Sequence, residues 1–311
     1  MRPHRRVSAT AIAATLLATT ACGGPPSPPH TQSSAPVSWT ECGERGTCAE
    51  VADTVIAPRL APSEGGESKQ DTEAHESGSG EVASGEPLPQ RAGETAAAAV
   101  LTDGQIDAIV QRATSDGVVG CFGWTDENAS FDPTLASDSP PPGARLEHEL
   151  AIRMVRAFAP FLTGRTPPEV VYNQTCSAGI VYFGSRVHVN GTRLRELLEP
   201  DTSSPLPPVD YIDTLAVAVA HELGHWQVMT ESDKFADFIR RHNTRFPANT
   251  SPAHYQELFA DYDSSMIVSR RWASPRPALA ILSTLSRQET ETHPRYELRA
   301  IAFGLGEGAQ P

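Results

Sequence analysis

The pentapeptide His221-Glu222-Leu223-Gly224-His225, set directly behind the apolar run Leu215-Ala216-Val217-Ala218-Val219-Ala220, constrains this chain more than any other stretch. No turn signal interrupts residues 209–230, so the pattern predicts one long helix, with Asp210 and Asp213 near the start where the dipole favours negative charge. Residues four apart on a helix lie one turn above each other, so both imidazoles can reach a single ion. The apolar residues ahead of the motif bury it in a core, and Gly224 keeps the turn between the histidines slim. Zinc suits such a pair, because it accepts neutral imidazole nitrogen at about 2.0 to 2.1 Å and prefers four ligands. Glu222 follows the first histidine, so its carboxylate can lean over the same edge without ligating. There it can take a proton from water and later deliver it to a leaving amine.

A third ligand is expected downstream, in Glu257-Leu258-Phe259-Ala260-Asp261. Glu257 and Asp261 share a helix face, so Glu257 can ligate while Asp261 accepts from the far nitrogen of a ligating histidine and fixes its tautomer. His30, His75, His148, His188, His242 and His254 are isolated and are read as surface or structural side chains. No Ser-His-Asp arrangement, phosphate loop or dinucleotide fingerprint competes, and no basic stripe with interleaved aromatics points to nucleic acid.

Around the motif the chain reads as mostly helical. Helices are expected at residues 101–112, with Thr102 as cap, and at Arg145–Leu162, where Leu146, Leu150, Met154, Val155, Phe158 and Phe161 recur at spacings of three and four. Others are expected at 192–198, 233–241, 252–270, 277–287 and 295–305. Short β-branched and aromatic runs at Val170-Val171-Tyr172, Ile180-Val181-Tyr182-Phe183 and Val187 to Val189 predict a small sheet.

The first third of the 311 residues differs in kind. Pro, Gly, Ser, Ala and Glu dominate, and too little apolar surface is present to offset the entropy of ordering. Residues 22–98 are therefore expected to be a disordered tether with at most a small disulfide loop, and the globular domain is expected to span 99–311. Much of the net charge of −13 falls in this tether, at Glu64, Glu67, Asp71, Glu73, Glu76, Glu81, Glu86 and Glu94, and reads as a solvated linker.

Arg2, Arg5 and Arg6 precede an apolar stretch from Val7 to Thr20 that is too short to span a bilayer, so residues 1–21 read as an export signal. Ala21-Cys22-Gly23-Gly24 resembles the end of a bacterial lipobox, in which Cys22 would be acylated. Thr19 stands where leucine is usual, and plain secretion is the alternative. In an oxidising compartment the remaining Cys42, Cys48, Cys121 and Cys176 allow three pairings. The close spacing of Cys42 and Cys48 favours a local loop, leaving Cys121 to Cys176.

Taken together, the motifs resemble the gluzincin metallopeptidases, and among them the HtpX type related to CAAX prenyl endopeptidases. The resemblance covers residues 145–305 and rests on several segments. Asn173 to Val181, Val187-His188-Val189-Asn190-Gly191 and Leu194 are similar to that family's substrate-binding edge strand and the strand and helix that follow it. His221 to His225, then Glu257 with Ala260-Asp261, and finally Thr292-His293-Pro294 with Arg299 match in order. It implies an α+β zincin-like fold, a cleft between the sheet edge and the motif helix, and zinc at His221, His225 and Glu257. It further implies catalysis by Glu222, and His293 and Arg299 near the active site in supporting roles. Peptide or protein would be the substrate. The chain departs from the family in having no transmembrane helix after its signal, and in a short connection from His225 to Glu257. A non-catalytic envelope lipoprotein that keeps the fold for peptide binding, or a precursor held latent by the tether, are the competing readings.

Overall fold

A computed structural model describes residues 47–57, 59, 100–115, 131–162, 164–198, 211–271 and 289–309. The expected signal, Cys22, Cys42, Cys121 and the helix at 277–287 lie outside them. The described chain forms eight α-helices: α1 (Cys48–Ile56), α2 (Asp103–Ser115), α3 (Arg145–Leu162), α4 (Gly191–Leu198), α5 (Tyr211–Thr230), α6 (Ser232–His242), α7 (Pro252–Arg271) and α8 (Tyr296–Glu307). Three short strands are β1 (Glu169–Tyr172), β2 (Ile180–Phe183) and β3 (Arg186–Val189). The mostly helical α+β architecture with a small mixed sheet is as expected. Among the described residues, no helix is long and apolar enough to cross a membrane.

Helix α5 lies at the centre. Every residue from Leu215 to His225 is buried, because α3 and β2 cover one side and α7 the other. A helix apolar on all faces is stable only when enclosed in this way. Gly224 permits the closest approach, since a Cβ there would stand 2.5 Å from the Ala260 Cα of α7. The glycine therefore serves the packing of two helices rather than only the slimness of one turn.

The sheet has order β1-β3-β2, with β1 parallel and β2 antiparallel to β3. Gly184 (φ 58°) and Ser185 (φ 68°) close the β2–β3 hairpin with positive φ at both central positions, as a tight two-residue turn demands. Strand β2 is consequently an edge, and it faces α5.

The expected start of the globular domain near residue 99 is too late. Cys48, Ala52 and Ile56 of α1, spaced four apart, are buried in the main core with Leu150, Met154 and Val155 of α3. Thr47 and Glu50 form a reciprocal capping box at its start, Arg153 pairs with Asp53, and Arg59 holds Asp213 of α5 at 2.8 Å. Nine residues inside a long polar stretch are too few to shift its composition, which is why α1 escapes a compositional reading. Cys48 and Cys176 are both buried; each expected disulfide partner lies outside the described residues.

Candidate metal centre

Helices α5, α7 and α8 supply the site. His221 and His225 lie one turn apart on α5, with Nε2 atoms 3.2 Å from each other. Across the Gly224–Ala260 contact, α7 brings Glu257 to the same point, with Oε2 3.2 Å from His221 Nε2 and Oε1 3.4 Å from His225 Nε2. All three side chains are buried.

Among the described residues, neither Glu257 oxygen has a hydrogen-bond partner, although the residue is 1% exposed. Leaving a buried carboxylate so placed costs several kcal/mol unless a cation compensates it. The imidazole nitrogens lie at contact distance from Glu257 but off hydrogen-bonding geometry, and with the two Nε2 atoms 3.2 Å apart the possible ligand atoms all fall within 4.8 Å of one another. Burial works against ionised Glu257, yet His293, His225 and His221 outweigh it and hold the carboxyl well below its usual range. This trio could hold a metal ion, and its two neutral-imidazole donors with one carboxylate fit zinc.

The far side of His221 is equally specified. Nδ1 meets Asp261 Oδ1 at 3.0 Å, and Arg299 of α8 grips Asp261 with two bonds of 2.7 Å, from Nε to Oδ2 and from Nη2 to Oδ1. Burial favours neutral His221, but the bond to Asp261 and the negative charges of Asp261 and Glu257 prevail and raise its pKa to about 9. Asp261 is lowered, Arg299 and His221 overcoming the desolvation that would raise it. A carboxylate on Nδ1 turns Nε2 toward Glu257 and His225, as the atom that could ligate.

Glu222, fully buried, points its Oε2 at the backbone N–H of Tyr182 on β2, which donates across 2.6 Å. The structure thus brings together His221, Glu222, His225, Glu257 and Asp261. His293 joins at the margin, with Nε2 3.6 Å from Glu257 Oε2 and Nδ1 held by the Thr292 hydroxyl at 2.9 Å. Arg299 stands behind Asp261 and positions His221 through it, instead of reaching the cluster itself.

Two contributors carry no clear sequence signal. One is the Tyr182 main-chain donor. The other is His254, read as an isolated structural residue, whose Nε2 lies 2.7 Å from the Thr290 carbonyl oxygen. Thr290 in turn receives the His293 N–H on its hydroxyl at 2.9 Å, so His254 ties the loop bearing His293 to α7. Its place three residues before Glu257, on the same helix face, is the only hint the sequence offers. His188 is structural as expected, lying 3.4 Å from Asn173 and 3.3 Å from the Phe183 carbonyl. No protein-family model, curated protein or solved structure matches this chain.

Proposed function

We propose that this chain is a zinc-dependent endopeptidase acting on exported proteins or peptides. The observation that carries the reading is the buried Glu257 carboxylate, without a hydrogen bond, facing two imidazole Nε2 atoms beside the non-ligating Glu222. A structural zinc site usually fills its fourth position with Cys or His, whereas three protein ligands and an adjacent carboxylate suit hydrolysis.

Zinc bound there supplies Lewis acidity and lowers the pKa of water from about 15.7 to about 7. The protein's own tasks are separable. His221, Asp261 and Arg299 form a chain of contacts that fixes one ligand's tautomer. Glu222 takes the proton of the attacking water and returns it to the leaving amine, a role worth about 10²–10⁴-fold. No covalent intermediate is needed. An extended peptide would pair by its main chain along the β2 side of the cluster, which flanks α5. His293 stands at the rim of the cluster as a supporting group.

Export and acylation at Cys22 complete the proposal, supported by the basic and apolar amino terminus and by Ala21-Cys22-Gly23-Gly24. The protein would then face outward at a membrane surface, or be secreted if the cysteine is not acylated. The test is cleavage of casein by the chain retaining α1, with and without zinc, against Glu222→Gln. A fragment starting at residue 99 would lack part of its core. Zinc-dependent cleavage, reduced at least 100-fold by the substitution, is expected. Tight zinc binding with no cleavage would instead make the chain a peptide-binding protein.

A further inference from the structure

The main-chain edge of β2 that faces away from β3 is buried, with Ile180 and Val181 0% exposed, and its groups are not equivalent. In the β2–β3 register, Phe183 pairs with Arg186 across the two-residue turn and Val181 with His188, while Ile180 and Tyr182 oppose Val189 and Val187. A two-residue hairpin places its hydrogen-bonded pair next to the turn, and bonding then alternates. The Asn190 N–H on the Gly179 carbonyl at 2.8 Å continues that alternation. The main-chain groups of Ile180 and Tyr182 therefore point away from β3. Of the two donors, Tyr182's is taken by Glu222 at 2.6 Å.

A charge-assisted bond of that length, buried from solvent, is among the stronger kinds. It fixes one carboxylate oxygen and so sets the orientation of the carboxylate beside His221 and His225. We infer that the main-chain N–H of Tyr182 is the positioning group for Glu222. The inference rests on the peptidase reading only for its consequence, because the bond itself is a property of the metal-free chain.

Proline at position 182 removes the N–H alone among main-chain groups. It is compatible with an edge strand whose N–H lies outside the ladder. If the donor serves Glu222, Tyr182→Pro lowers kcat by about 10–100-fold, in the range for outer contacts that orient catalytic groups. KM and zinc affinity then change less than about twofold. A KM raised tenfold at retained kcat would show that the donor serves the peptide and would overturn the proposal. Hydrogen exchange in the metal-free protein gives an independent readout that survives misfolding of the proline variant. Glu222→Ala should speed exchange of the Tyr182 amide at least tenfold while the Val181 amide, bonded within the ladder, keeps its protection. Equal Tyr182 protection in both proteins would also overturn the assignment. Zinc binding without casein cleavage in the wild type would defeat the peptidase reading while leaving the exchange result to decide the contact.

Discussion

Two buried aspartates sit two residues apart on α7 and have opposite fates. Asp261 faces α5 and α8, where Arg299 takes both its oxygens and His221 a third contact, and its pKa is lowered. Asp263 lies around the helix from it, in the wall of a cavity of about 270 Å³ that Lys234 and Phe238 also line. Its Oδ2 has no hydrogen-bond partner among the described residues. Burial pushes its carboxyl well above the usual range, with Lys234 opposing only in part. Both residues are nearly inaccessible, 0% and 2% exposed, so burial alone does not set the ionisation of a carboxyl group. What separates them is whether a cation with matching geometry was buried alongside. The trio that could hold a metal ion lies where it was.

The sharpest way to break this contrast is to strip Asp261 of its partner. Arg299→Met fills similar space without charge and leaves the carboxylate uncompensated, so denaturant titration of the metal-free protein should show a loss of about 3–5 kcal/mol. Zinc affinity tests the other end of the same chain of contacts. Since His221 is raised to about 9, it carries a proton at neutral pH that the metal must displace. Between pH 7 and 9, affinity measured against a competing chelator should climb by as much as tenfold per pH unit, and it should flatten above 9. The metal-free protein behaves oppositely. The stability that protonated His221 contributes is complete below about 6.5 and is lost as pH rises through about 9. Asp263 gives the smallest effect, with its own sign. Its folded-state pKa lies above the unfolded value of 3.8, so its best contribution falls below that value and is lost as pH rises toward the folded pKa. Asp263→Asn should therefore raise the midpoint of thermal unfolding at pH 7, by roughly 1 kcal/mol equivalent, and raise it less at pH 4.

The long helices were legible because burial imposes period on sequence. The spacing of apolar residues in α3 gives its span directly, and α5, α6, α7 and α8 begin and end within a few residues of the expected positions. The ligand trio was legible for a similar reason, since two histidines four apart and a carboxylate-bearing helix can meet only if the helices pack, and Gly224 marks where they do. Arg299 was legible only through its likeness to a family pattern. Nothing in its local spacing says that a residue of α8 reaches Asp261. The Tyr182 donor had no signal at all, because every non-proline residue owns a main-chain N–H and only the hairpin register decides which way it points. Helix α1 was hidden by its surroundings, its nine residues diluted among prolines, glycines and glutamates.

That short helix changes what it means to cut or pull this chain. Because Cys48, Ala52 and Ile56 are locked under α3, a load applied at the amino terminus is borne by the α1–α3 contact before it reaches α2. The stretch from Ile56 to Asp103 then joins two points of one body, so a proteolytic nick within it would leave both pieces together in a single particle. Separating the packed helices from the residues ahead of Cys48 would require a cut ahead of Cys48, or the unfolding of α1.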